Sequence, residues 1–169
     1  IDIRSTASAA KAHNFFMVRP GSDYAFNLAV IHVLMHEKLY DGQFAAMWIK
    51  DLDELEHFVA PYTPQWAEKE TGIPAESIAA FAKELAQSKP AVVWHPGWMT
   101  ARYKNSFHVC RSIYIINALL GSIGAKGGLP LAGLQFDHTS LAPTPTGFAP
   151  GGSAWDCGRG VATPTDRPD

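Results

Sequence analysis

The chain has 169 residues, the length of a single domain, and 47% hydrophobic with 18% charged content excludes a disordered or fibrous protein. A net charge of −2 leaves no cationic excess to neutralise a phosphate backbone, which argues against a nucleic-acid partner. Cys110 and Cys157 are too few and too far apart for a zinc site, an iron–sulfur cluster or a disulfide framework. No apolar run reaches the roughly 20 residues of a membrane span, and residues 1–20 lack a secretion signal, so the chain reads as soluble.

The chain opens on Ile1-Asp2-Ile3-Arg4, which reads as the end of a strand whose earlier residues are missing and suggests a fragment. Residues 5–13, rich in Ala and Ser, suit a short surface helix. Phe15 to Val18 have the length of a buried strand, and Arg19-Pro20-Gly21 turns the chain. Ser22 and Asp23 are N-cap residue types, and Phe26, Ala29, Val30, Val33 and Leu34 recur at helical spacing to about Leu39.

Acidic amphipathic segments follow at 42–49 and 51–59, ended by the Pro61 to Pro64 break. Gly72-Ile73-Pro74 opens a helix whose Ile78, Phe81, Ala82 and Leu85 form one stripe to about Gln87. Lys89-Pro90 leads into a strand-length apolar run, Ala91 to Trp94, that leaves the sheet at His95-Pro96-Gly97. Asn105 and Ser106 cap a last helix with Val109, Ile113, Ile116 and Leu120 on one face and Gly121 and Gly124 at its end.

From Gly127 onward Gly, Pro, Ser and Thr dominate, which predicts an extended loop or tail over 129–169 after a domain at 1–128. Helix-then-strand order predicts an α/β fold, helix-rich and Rossmann-like. Its strand candidates, 1–3, 15–18 and 90–94, make an incomplete sheet that needs further strands to be stable by itself.

Three constellations can carry chemistry. At Asp2-Ile3-Arg4-Ser5-Thr6 an acid just past a strand can accept from ribose hydroxyls or a guanine edge, while Arg4 and the hydroxyls add donors. The same residues also fit a solvated strand end with a helix cap. Gly21-Ser22-Asp23 opens a helix N-terminus, where free N–H groups attract electronegative ligand atoms and Asp23 can accept from guanine N1 and N2 hydrogens; an ordinary cap is the plainer alternative.

At the end of the third strand candidate, His95-Pro96-Gly97-Trp98-Met99-Thr100 lets backbone approach a cofactor, with Trp98 as a shield and Arg102 as an anion contact. A merely exposed histidine competes with a catalytic His95. His32 and His36 lie four apart without the His-Glu-x-x-His order of a metal helix and read as packing residues. The Gly121 to Gly128 run follows a helix and lacks the Gly-Lys-Ser/Thr of a phosphate loop, so it reads as a helix terminator.

Taken in order, these segments resemble the molybdopterin oxidoreductase family, in its bis-molybdopterin guanine dinucleotide group. Asp2 to Thr6 resembles the family's Asp-Pro-Arg-x-Thr segment, with Ile3 in place of proline, and Arg19 to Asp23 its Arg-Pro-Gly-Thr/Ser-Asp segment. Ile31 to Asp41, Tyr62 to Ala67, Thr71 to Ala75 and Asn117 to Leu129 continue the series across about residues 1–130.

The resemblance implies that Asp2, Ile3, Arg4, Ser5, Thr6, Gly21, Ser22 and Asp23 hold the guanosine end of one dinucleotide. Pro96, Gly97, Trp98, Met99 and Thr100 would line the pterin and molybdenum face, with His95 and Arg102 as catalytic candidates. The stretch 95–106 looks most like the thiosulfate and polysulfide reductase branch, which implies a small anionic sulfur substrate. The implied parent carries molybdenum bis(molybdopterin guanine dinucleotide) and an iron–sulfur cluster outside this fragment. Its implied partners are the remainder of the catalytic subunit, an iron–sulfur electron-transfer subunit and a membrane anchor subunit, at a periplasmic or membrane-associated location. A fragment of this kind would not turn over alone. The competing expectation is a non-catalytic nucleotide-binding or scaffold module.

Overall fold

A helix that is apolar on every side has to be surrounded, and Asp23–His36 (α1) is such a helix. Ala25 to Ile31, Val33, Leu34 and Met35 are all buried in it. The computed structural model, which describes residues 1–97 and 104–130, places around it Leu52–Val59 (α3), Pro64–Thr71 (α4), Ala75–Gln87 (α5) and Ser106–Leu119 (α6). Gly42–Trp48 (α2) packs instead on α6.

Each amphipathic segment supplies a few residues to the core around α1: Val59 from α3, Ala67 from α4, Ile78 and Ala82 from α5, Ile116 and Leu119 from α6. An aromatic group extends this core towards the chain's start. Phe16, Phe26, Phe81 and Trp94 lie with ring centroids 5.3–6.3 Å apart, and the Phe26 and Trp94 rings are stacked.

Local chemistry accounts for the helix ends, including two that the sequence pattern alone misplaces. The expected break at Pro61–Pro64 is also the start of α4: Thr63 accepts from the Trp66 amide at 3.2 Å, and Pro64 occupies the first helical turn. α1 stops at His36 rather than about Leu39. There Lys38 takes a left-handed conformation at φ 52°, while its amide reaches Met35 O at 3.1 Å and the Leu39 amide reaches Leu34 O at 2.9 Å. This is a Schellman closure with lysine where glycine is usual, so no glycine announces it.

The expected helix over 5–13 is reduced to one 3-10 turn, Ala9–Lys11, with no buried residue. A segment that short needs a packed face to persist, and this one has none.

The expected Rossmann-like sheet is not found among the described residues, which contain no strand. The first two strand candidates meet in one parallel bridge, Asp2 to Met17, through Asp2 N to Phe16 O and Val18 N to Asp2 O, each 3.2 Å. The third candidate pairs with neither, and its Trp94 bonds to a side chain of α6 instead. Segments this short expose backbone groups on both edges, and at Trp94 the Asn117 side chain of α6 satisfies them.

The glycine run after α6 closes on itself through an Ile123 to Leu129 bridge, with Gly121, Gly124 and Gly127 at positive φ. The tail expected over 129–169 lies, beyond Pro130, outside the described residues.

Candidate functional site

Three segments distant in sequence converge on one cavity of about 710 Å3: Ile1, Asp2, Ile3 and Arg4 from the chain's start, Asp23 from the first turn of α1, and Val93 to Gly97 from the extended segment. Phe26 and Asn27 of α1 and Ile113 of α6 complete its lining. The size falls within the about 300–1,000 Å3 of small-molecule sites.

Asp2 is held by the bridge to Phe16 and Val18, and its Oδ1 accepts from the Ile3 amide at 2.7 Å, which orients the carboxylate at the turn. Asp23 stands in the first turn of α1, where the positive end of the helix dipole favours a carboxylate. Gly21 takes φ 81° to make the turn that brings the chain onto that helix.

His95 is exposed, and its Nδ1 accepts from the Gly97 amide at 3.0 Å, so in the neutral ring Nε2 carries the proton. That bond ties the imidazole to its own turn, with Pro96 and Gly97 beside it in the cavity wall.

Of the sequence-predicted residues, the cavity thus gathers Asp2, Ile3, Arg4, Asp23, His95, Pro96 and Gly97. Ser5, Thr6, Gly21 and Ser22 are not part of its lining. Thr6 Oγ1 instead accepts from the Ala9 amide at 3.2 Å, starting the 3-10 turn. Ser22 occupies the N-cap position without capping: its hydroxyl donates back to Arg19 O at 2.7 Å. Arg19, the first residue of the same motif, reaches away from the cavity to Lys69 O at 2.6 Å and so closes the C-terminal end of α4. Trp98, Met99, Thr100 and Arg102 lie outside the described residues.

Sequence reasoning passed over Asn27 and Trp94, which line the cavity as well. Asn27 follows Asp23 by four residues, one helical turn, so the two share a face, and a buried Asn on an apolar helix is the signal that could have found it. Its Oδ1 accepts from Trp94 Nε1 at 3.3 Å, and its Nδ2 donates to Ser112 Oγ at 2.9 Å.

A second cavity of about 550 Å3 lies between α1, α3 and α6, walled by Leu28, Ile31, Leu55, Phe58 and Ile115, and holds none of the predicted residues. His32 turns its Nδ1 onto Val59 O at 2.9 Å and lies 4.2 Å, centroid to centroid, from His36. Among the described residues no group of three or more His, Cys, Asp or Glu side chains could hold a metal ion. Nor is any helix there long and apolar enough to cross a membrane.

No protein-family model matches the chain. It is 34% identical over 128 residues to the thiosulfate reductase molybdopterin-containing subunit of Salmonella typhimurium, a match covering 76% of this chain and 17% of that protein. It is 31% identical to the arsenate respiratory reductase molybdopterin-containing subunit of a Shewanella species, over 76% of this chain and 18% of that one. Among solved structures, acetylene hydratase from Pelobacter acetylenicus superposes with a TM-score of 0.66 at 32% identity, covering 70% of this chain and 16% of that chain. The chain therefore spans less than a fifth of the length of these relatives.

Proposed function

Since this chain belongs to the molybdopterin oxidoreductase family, its homologues being molybdopterin-containing reductase subunits, we propose that it forms one wall of a molybdopterin guanine dinucleotide site. The observation that supports this reading is the convergence of Asp2 to Arg4, Asp23 and His95 to Gly97 on one cavity.

The donor set suits a guanosine end. Two carboxylates, Asp2 and Asp23, can accept from a guanine edge or ribose hydroxyls, and Arg4 offers a planar fork to a phosphate. Phe26, Trp94 and Ile113 give the apolar surface that an aromatic base requires. His95 to Gly97 supply a further stretch of the lining, which would meet the pterin end.

When bound, the molybdenum cofactor supplies the two-electron chemistry. The residues of this chain hold and orient it, and the Asp23 carboxylate, fixed on a helix, sets the position of the base. The substrate of the whole enzyme is a sulfur oxyanion or polysulfide, a reading supported by the identity to a thiosulfate reductase subunit. Electrons reach the site from an iron–sulfur cluster and an electron-transfer subunit, with a membrane anchor completing a periplasmic or membrane-associated complex.

The test is calorimetric titration of the chain with GMP and, as a control, AMP. GMP binds the wild type more tightly than AMP does. Asp23→Ala weakens GMP by about 1.5–3 kcal/mol, the worth of a hydrogen bond to a charged group, and leaves AMP unchanged. Equal binding of both nucleotides, or an unaffected Asp23→Ala variant, refutes the guanine contact. Failure to bind either favours the scaffold alternative.

A further inference from the structure

Among the described residues no strand flanks Trp94, yet both of its backbone groups are bonded. Asn117 of α6 supplies both partners. Its Oδ1 accepts from Trp94 N at 3.0 Å and its Nδ2 donates to Trp94 O at 2.8 Å, the pair of bonds a flanking strand would give.

Asn117 is fully buried, and the rest of its amide is committed as well: Nδ2 donates to Ile113 O at 2.9 Å, and Oδ1 lies 3.1 Å from Ser122 Oγ. Both donors are matched and Oδ1 accepts from Trp94 N, with Ser122 Oγ dividing its one hydrogen between Asn117 O at 2.9 Å and Oδ1, so the amide has a single workable orientation. Turning it over would set N–H against N–H and oxygen against oxygen at Trp94. The indole end of Trp94 is held separately, by Asn27 Oδ1 and by stacking on Phe26.

Asn117 itself is not part of the cavity lining, whereas Trp94 and the following His95, Pro96 and Gly97 are. We propose that Asn117 is a positioning residue: its side-chain amide stands in for a β-strand and fixes the wall on which ligand binding at this cavity depends. The link to ligand rests on the cofactor reading above; the link to Trp94 does not.

Two measurements on the full chain separate these links. Amide hydrogen exchange at Trp94 is compared with that of Phe26 to Leu34 in α1, and GMP affinity is measured by titration. Asn117→Ala speeds exchange at Trp94 about ten-fold or more, leaves α1 at its wild-type rate, and weakens GMP about ten-fold. Where the alanine variant fails to fold, Asn117→Asp keeps the volume and carries a pH signature. At about pH 5 a buried carboxyl group retains an O–H to donate to Trp94 O, and at about pH 8 its ionised form faces that carbonyl without a proton. Trp94 protection and GMP binding, each relative to wild type at the same pH, are therefore retained at the lower pH and lost at the higher.

A merely structural role would speed exchange in α1 and at Trp94 alike, and in Asn117→Asp would lose the protection of both together as pH rises. Either that pattern, or unchanged exchange at Trp94, overturns the proposal, as does faster exchange at Trp94 with GMP affinity intact. If wild-type protein binds no GMP, the cofactor reading falls, while the exchange results still decide whether Asn117 holds the wall.

Discussion

α1 and the cavity rim are held by opposite means. Ten of the fourteen residues of α1 are buried, nearly all apolar, and their partners come from α3, α4, α5 and α6. The rim, Ile1 to Arg4 and Val93 to Gly97, is mostly exposed or half-buried and is fixed by a handful of polar bonds: the bridge to Phe16 and Val18, and the Asn117 amide at Trp94. The packed core and the exposed edge of the cavity thus rest on different interactions, and the polar residues Asn27 and Asn117 join them. The Trp94 ring packs on Phe26 and Phe81, and Asn117 holds the backbone beside it.

The sharpest way to break this contrast is to damage each side separately. Leu34 is fully buried in α1, and Leu34→Ala lowers unfolding free energy by about 2–5 kcal/mol, read from urea unfolding. Binding by the fraction still folded stays at its wild-type value. At the cavity, Asp23→Ala in the first turn of α1 does the reverse: its unfolding free energy stays within about 1 kcal/mol of wild type, the size of the helix-dipole effect, while GMP binding weakens. A large stability loss from Asp23→Ala would show that rim and core are one unit.

A smaller effect sharpens the view of how α1 ends. Lys38 holds a left-handed backbone that glycine adopts without penalty, so Lys38→Gly raises stability by about 0.5–1 kcal/mol, seen as a higher urea midpoint. No gain would mean that the lysine side chain offsets the strain.

The gentlest effect is that of pH at the α1–α3 contact. Burial lowers the His32 pKa from its ordinary 6.5, the hydrogen bond to Val59 opposes this, and His36 adds to the lowering. The folded chain therefore takes up a proton less readily than the unfolded one, so the unfolded state binds more protons as pH falls below about 6.5, and stability declines there. His32→Gln flattens that decline, which unfolding midpoints between about pH 5 and pH 7.5 would reveal.

Much of the helical frame is legible in the amino-acid order. The apolar spacing of Phe26, Ala29, Val30, Val33 and Leu34 marks α1, and Ile78, Ala82 and Leu85 mark α5, because a stripe repeating every turn has to be buried. The Asp2 and Asp23 turns and the His95-Pro96-Gly97 exit also stand out, although acids, prolines and glycines at element ends serve caps and turns as readily as ligands.

Other features follow no local rule. Ser22 looks like a cap but bonds backwards to Arg19 O, and Arg19, read only as part of a turn, closes α4. Ser22 finds its carbonyl three residues back in its own turn, while Arg19 donates to one that folding brings from 50 residues away.

Sequence alone therefore determined where α1, α5 and α6 run and which faces they bury, though not α4 or the end of α1, because propensity, periodicity and turn chemistry act over a few residues. Tertiary structure decided that the expected strands make one bridge instead of a sheet, that Asp2, Asp23 and Gly97 share a cavity, and that Asn117 takes the place of a strand beside Trp94. Those outcomes depend on backbone groups finding partners across tens of residues, and a hydrogen bond at 3 Å is selected by the packing of α1 and α6 around it rather than by the letters on either side.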